Sequence, residues 1–485
     1  ITSAASLVVI ESLITGAGTG LYKMGGNNLR LSNTANTYTG ATYLGQGTGS
    51  VMEVTFLTNG GLPSSIGASS SAAGNLVLSN ANTGVLRYIG ATDASTDRLF
   101  TLNNGQGYAG GLESSGAGTI VWTNTGAVAF IGGGGSRIFT LGGSNTGQNI
   151  LNTRLTDNSA GVLTFTKNGG GTWVLANNSN SYTGVTTVSA GTLEVANLAN
   201  GGVASPIGQS GAAASNLVLS GGVLRYAGPA ASTDRLFTLG GNVSIDASGS
   251  GPLTLANTGS MAQATGVTAR TLTLTGVNTG SNTLAAIIAN GTSTQVTSLT
   301  KSGDGTWILS GNNAYTGATT ITGGTLTLAN QNAIQNSTLT LSGTGSLSFD
   351  SSVVANVFTL GGLAASNAAA SLALQNTAAT AVALTVGGNN ASTTYAGGLT
   401  GPGGLIKTGA GTLTLSGSSS YSGQTAVQSG TLQINAAGSL AASSTVSLAA
   451  AAVLRFNRTD TYGGAFVSTI TGSGGRQRDS GRRGK

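Results

Sequence analysis

The sequence predicts an all-β chain wound as a single-stranded parallel β-solenoid of roughly 19–20 residues per coil. Three observations predict it: a composition of strand and turn residues almost without charge, a motif that occurs four times, and a shorter period inside that motif. Only 7% of the 485 residues are charged and 81 are glycine, with neither cysteine nor histidine. Disordered chains are usually highly charged and poor in β-branched residues. Here Val, Ile, Thr and Leu alternate with small polar residues, which is the pattern of strands. Five prolines and no compositional break leave no sign of linkers between globular domains, so one elongated domain is expected.

The motif reads KMGGNNLRLSNTANTYTGATYLGQGTG from Lys23, KNGGGTWVLANNSNSYTGVTTVSAGTLEV from Lys167, KSGDGTWILSGNNAYTGATTITGGTLTL from Lys301 and KTGAGTLTLSGSSSYSGQTAVQSGTLQI from Lys407. Each copy runs lysine, glycines, a strand, a tyrosine, and glycine two and nine positions after the tyrosine. Longer segments recur between the copies: NLVLSNANTGVLRYIGATDASTDRLFTL from Asn75 returns as NLVLSGGVLRYAGPAASTDRLFTL from Asn216 and fades after Ser337. Duplication of a large unit is therefore expected to have built a continuous solenoid over residues 1–475. Its large repeats fall at about 23–166, 167–300, 301–406 and 407–475, and a basic tail follows at 476–485.

Inside the motif, GTWVL at Trp173 is answered by GTLEV at Leu193, Trp307 by Leu326 and Leu413 by Leu432. Strands returning at this interval through Gly, Asn and Ser turns, with no helical segment between them, predict coils paired by backbone hydrogen bonds. In Thr325–Leu328 the leucines should point inward and the threonines outward, because side chains alternate along a strand. Glycines fall where corners need positive φ. Charges are few because outward positions stack directly on one another, where like charges repel.

The pattern KxGxGT(L/W)xL, then YTG or YSG, then GTLxV resembles the autotransporter-associated β-strand repeat of passenger domains in Gram-negative surface proteins. The resemblance implies a right-handed parallel β-helix at the cell surface or outside the cell, serving as an adhesin or stalk. No C-terminal membrane barrel is expected, since nothing after Leu454 offers repeated amphipathic strands of about ten residues. The chain reads as an extracellular structural or adhesive rod, suited to serve as a subunit of an end-to-end filament. The alternative is a polysaccharide lyase or hydrolase on the same scaffold.

No catalytic, cofactor-binding or metal-ligating residue is designated, and no cofactor is expected. A β-helical hydrolase would bring acids together from adjacent coils. Of the 13 acids, Asp93 with Glu113 and Asp460 with Asp479 are about one coil apart; the surroundings of the first pair do not match, and Asp479 of the second falls in the basic tail, outside the coils. Without His or Cys a zinc or copper site lacks its usual ligands. Asp304 has no counterpart in the other motif copies, which argues against a calcium roll. Tyr38, Tyr182, Tyr315 and Tyr421 are expected as turn residues packing on the next coil, Trp173 and Trp307 as core, and Trp122 stays unassigned. Asp97–Arg98 and Asp234–Arg235 in STDRLFTL read as a turn ion pair or a strand-entry cap. Outward threonines at Thr271–Thr275, Thr325, Thr338 and Thr412 look too irregularly spaced for an ordered hydroxyl array.

The net charge of +6 owes much to the tail, and the body has no basic stripe, so nucleic acid is not an expected partner. No apolar run is long enough for a membrane helix, so no membrane insertion is expected. A glycan or cell-surface ligand is the expected partner class, met by the non-motif stretches 87–98 and 225–235. Uncapped coil ends further predict end-to-end self-association or a longer parent chain.

Overall fold

The computed structural model describes residues 7–46, 49–79, 83–103, 109–159, 161–266, 269–292, 294–435, 437–440, 444–457 and 469–478. Two compact units divide it, Ile1–Ser244 and Ile245–Lys485. Both are parallel β-solenoids, and among the described residues there is no α-helix, only two short 3-10 turns at Ala73–Asn75 and Ala214–Asn216.

In the first unit one face stacks Leu7–Ile10, Asn28–Leu31, Ser50–Val54, Gly84–Tyr88, Ala109–Ser114, Arg137–Gly142, Leu163–Lys167, Thr186–Val188 and Leu217–Leu219, each parallel to the next. A second face stacks Ala94–Thr96, Ile120–Trp122, Asn149–Leu151, Thr172–Leu175, Thr192–Val195 and Val223–Tyr226. In the second unit Ala269–Thr275, Val296–Lys301, Thr319–Ile321, Ile334–Leu341 and Val357–Ala365 form one face. Leu253–Leu255, Asn282–Leu284, Thr306–Leu309, Thr325–Leu328 and Ser346–Phe349 form another. Near the end Gly475–Arg478 pairs with Val453–Phe456, and the rest of the basic tail lies outside the described residues.

The short coil holds inside the motif, where Trp307 pairs with Leu326 and Leu413 with Leu432. Between motifs the coil lengthens, reaching 34 residues where Glu53 meets Arg87. The extra residues sit in the corners, while the strands keep the alternation that buries one side. Arg137–Gly142 and Val296–Lys301 show it, every second side chain entering the core. An aromatic column of Phe100, Phe139, Phe165 and Tyr182 fills the first unit, with ring centroids 5.1 to 6.3 Å apart. Trp122 belongs to it, edge-on to Phe100 at 6.0 Å. Trp173 and Trp307 are fully buried, and their indole nitrogens donate to Gly142 O and Thr275 O.

The repeated lysine is a corner staple. Lys167 Nζ donates to Asn168 O (2.6 Å), Gly169 O (2.9 Å) and, on the next coil, Ala190 O (3.0 Å). Lys301 and Lys407 repeat the set, with the third bond to Gly323 O and Ser429 O respectively. Gly169 and Gly191 both have positive φ (66° and 62°), and a Cβ on Gly191 would lie 2.5 Å from Gly169 O. Only glycine lets these carbonyls converge on one ammonium. Burial pulls Lys167 and Lys301 down to about 8, and at Lys301 the Asp304 charge opposes that pull.

The motif tyrosine points into the core, and its hydroxyl meets the threonine four residues on: Tyr38 with Thr42 (2.8 Å), Tyr182 with Thr186 (2.7 Å), Tyr315 with Thr319 (2.6 Å) and Tyr421 with Thr425. Two residues before it an asparagine spans three coils. Asn180 Oδ1 accepts from Leu155 N of the coil before (2.8 Å), and its Nδ2 donates to Pro206 O of the coil after (2.9 Å). Asn36 and Asn313 do the same.

Burial pushes the Tyr38 hydroxyl up to about 12, and Tyr182 and Tyr315 upward as well. An unfolded tyrosine ionises near 10, so the folded state holds these protons longer. Their contribution to stability is complete below about pH 10 and is lost as pH rises from 10 towards 12. Tyrosinate absorbance should therefore lag through that window and then rise together with loss of the β-sheet circular dichroism signal. A smooth ionisation centred at 10 with the signal intact would contradict the buried placement.

Candidate functional site

On the outward face of the first unit the charges stack by sign. Arg30, Glu53, Arg87 and Glu113 occupy one outward position on four successive coils. Arg30 Nη2 lies 2.8 Å from Glu53, Arg87 Nη1 3.3 Å from Glu53, and Arg87 Nε 2.6 Å from Glu113. Glu194 and Arg225 form a similar pair on the second face at 3.4 Å. Asp93 and Glu113 are thus not stacked, in contrast to their sequence spacing. Glu113 pairs with Arg87, and Asp93 accepts from Thr119 N and Oγ1, which lowers its pKa. The coil at this point is longer than 20 residues, so equal spacing in sequence does not give adjacency. Asp460 and Asp479 lie outside the described residues.

Of the threonines that look scattered in sequence, Thr273 joins a column in register, while Thr325 pairs with Thr306 and Ser346, Thr338 with Gly362 and Thr412 with Thr431. Thr273, Thr300, Thr320 and Thr340 stand one above another on four coils, because length varies only in the corners. Cross-strand pairs of this kind stabilise a sheet.

The recurrent STDRLFTL segments do not hold a turn ion pair. Asp97 Oδ1 accepts from Gly60 N and Asp234 Oδ1 from Gly201 N, each at 2.7 Å. Arg98 and Arg235 turn inward and are almost fully buried. Arg98 donates to Thr58 O (3.3 Å), Ser69 O (2.9 Å), Ser69 Oγ (2.9 Å) and Gly67 O (2.9 Å). Arg235 donates in the same way to Ala199 O, Ser210 O and Oγ, and Gly208 O. Each guanidinium thereby fills a surface loop, residues 58–69 or 199–210, and burial lowers its pKa. Five rigid donors suit a ring of carbonyls better than an ammonium would.

The two loops present an apolar residue at equivalent places, Leu62 and Val203, each 53% exposed. Beside the first loop is an open cleft of about 310 Å³, lined by Phe56, Asn59, Leu62, Asp93 and Ser95. Asp93–Ser95 belong to the 87–98 stretch singled out from sequence. Tyr88 Oη donates to Thr92 O and Tyr226 Oη to Pro229 O, pinning both non-motif corners from beneath. The buried arginines were missed in the sequence, although their recurrence 25 or more residues from the loop they hold was the available signal. Among the described residues no group of three or more acids could hold a metal ion, and no helix is long and apolar enough to cross a membrane.

A parallel solenoid with a lysine, tyrosine and glycine corner at each repeat defines a class of repeat protein. The family described as passenger-associated-transport-repeat matches residues 21–48, 165–195, 299–328 and 405–434, the four segments that contain the stapling lysines. A curated relative, the adhesin BmaC autotransporter of Brucella suis biovar 1 (strain 1330), is 44% identical over 312 residues, 63% of this chain and 9% of that protein. The chain therefore matches under a tenth of that relative's length. No solved structure matches it. Four segments of the chain thus match the passenger-associated-transport-repeat, and part of the chain is similar to one autotransporter adhesin.

Replacing Arg98 by methionine should free the loop without undoing the coils. Limited proteolysis is expected to cut within residues 58–69 at least ten times faster than in the parent, with the β-sheet signal unchanged. Equal cleavage rates would show that the guanidinium does not hold the loop.

Proposed function

We propose that the chain is a non-enzymatic adhesive segment of a surface protein, displayed outside a Gram-negative cell. The solenoid provides a rigid support, and binding falls to the clamped loops 58–69 and 199–210 with the cleft beside the first. The observation that carries this reading is the repeated loop itself. A buried arginine with at least four hydrogen bonds fixes it in each of the first two large repeats, and its tip keeps a half-exposed apolar residue. Fixing a loop in advance reduces the ordering cost of binding, and binding residues are disproportionately found on loops held by rigid scaffolds. The relative named as an adhesin supports the same reading. The acid arrangement favours it over hydrolysis, because an arginine separates Glu53 from Glu113 on the coil between them.

The test is attachment of beads coated with the purified chain to mammalian cell monolayers. Changing both tips, Leu62→Asp with Val203→Asp, should leave thermal stability within about 1 °C, since both side chains face solvent. Attachment is expected to fall at least five-fold. Unchanged attachment by the folded variant would remove the loops from the mechanism, and no attachment by the parent chain would remove the reading.

A further inference from the structure

Cations in this chain are few, and the structure uses nearly all of them internally. The four described lysines beneath the motif corners donate to backbone carbonyls. Arg30, Arg87 and Arg225 meet glutamates. Arg98, Arg137 and Arg235 are buried against loop carbonyls, and Arg270 against Gln263 and Ala264 O. Even at the end of the chain Arg455 bonds Gln477 and Arg476 bonds Ile470 O. Among the described side chains, Arg154 alone extends its guanidinium into solvent with no hydrogen bond and no carboxylate within 4.0 Å.

Its position is not casual. The Arg154 backbone is fixed in the coil pairing, N donating to Gly126 O (3.0 Å) and O accepting from Val128 N (2.9 Å). The side chain stands in a groove of about 390 Å³ on the first unit, walled by Thr125, Asn152, Asn178 and Ser179. Two of its lining residues, Asn152 and Asn177, belong to an asparagine ladder: Asn124 donates to Asp97 O (2.8 Å), Asn152 to Trp122 O (2.9 Å) and Asn177 to Asn152 O (2.7 Å), each reaching back one coil. No carboxylate lines the groove. The neighbouring acid, Asp157, is spent on Leu163 N (2.8 Å), Thr183 N (3.1 Å) and Thr183 Oγ1 (2.6 Å).

We infer that this groove is a binding site for an acidic sugar, with Arg154 taking the carboxylate and the wall amides and hydroxyls taking the ring hydroxyls. A planar guanidinium matches a carboxylate with two parallel hydrogen bonds. Asparagine, serine and threonine side chains offer both donors and acceptors, as a polyol needs. A groove of this volume suits a small ligand. The inference rests on the adhesive reading and specifies its ligand class, at a place separate from the two clamped loops.

The experiment is a calorimetric or NMR titration of the whole chain with three probes: a glucuronic-acid disaccharide, α2,3-sialyllactose, and lactose as the neutral control. At least one acidic probe should bind at least ten times more tightly than lactose, and which one does so separates a uronate from a sialate ligand. Arg154→Ala should reduce that affinity at least ten-fold, and Arg154→Lys should recover part of it. Asn178→Ala should weaken it while leaving the preference for acid intact. Arg455→Ala, a surface cation elsewhere, should change nothing. Equal binding of acidic and neutral probes, no binding of either acid, or full affinity in Arg154→Ala would overturn the inference. Cell attachment is read separately: loss of attachment in the loop variant with probe binding retained distinguishes the two proposals.

Discussion

A parallel coil can satisfy its backbone along the strands, but at every corner the ladder stops while the chain remains packed against its neighbours. The polar groups left there must still find partners, because a buried unpaired carbonyl or amide costs about 1–3 kcal/mol. The motif solves this locally and repeatedly. A lysine ammonium gathers three carbonyls from two coils, an asparagine ties the coil before to the coil after, and a tyrosine and threonine close the inner side. With each corner closed in this way, the strands between can carry almost any alternating sequence, and the intervening coils have indeed diverged in length.

The same division explains what was legible in the sequence. The return of Trp307 at Leu326 gives the period, the strand type and the inward face directly, because inside the motif both corners are short. Outside it, corners have absorbed insertions, so residues in contact across coils are separated by 23, 34 and 26 positions in the Arg30, Glu53, Arg87 and Glu113 ladder alone. No fixed spacing finds that ladder, and a spacing of 20 residues places Asp93 beside Glu113 instead. Charge stacking was anticipated as a reason for few charges. The molecule satisfies it differently where charges do occur, by alternating their sign.

Buried cations were the other feature hidden from sequence. An arginine next to an aspartate suggests an ion pair, yet Asp97 and Arg98 point to opposite sides of one strand end, the acid to a loop amide and the guanidinium into the loop's interior. Burial among carbonyls is costly for a charge unless every donor is used, and here nearly every donor is. This economy of charge gives significance to Arg154, left unengaged in an amide-walled groove. It also links the fold to surface binding: the features that fix loops and corners leave few groups free to meet a partner.

The account depends on coil-over-coil register, and the absence of native cysteine allows a direct test by engineered disulfides. Thr320 and Thr340 are parallel partners on adjacent coils, at the close approach a disulfide needs. Thr320→Cys with Thr340→Cys should oxidise almost completely without loss of β-sheet signal, whereas Thr320→Cys with Ser342→Cys, two residues out of register, should remain reduced. Efficient bridging of the offset pair, or failure of the in-register pair in the folded chain, would contradict the solenoid described.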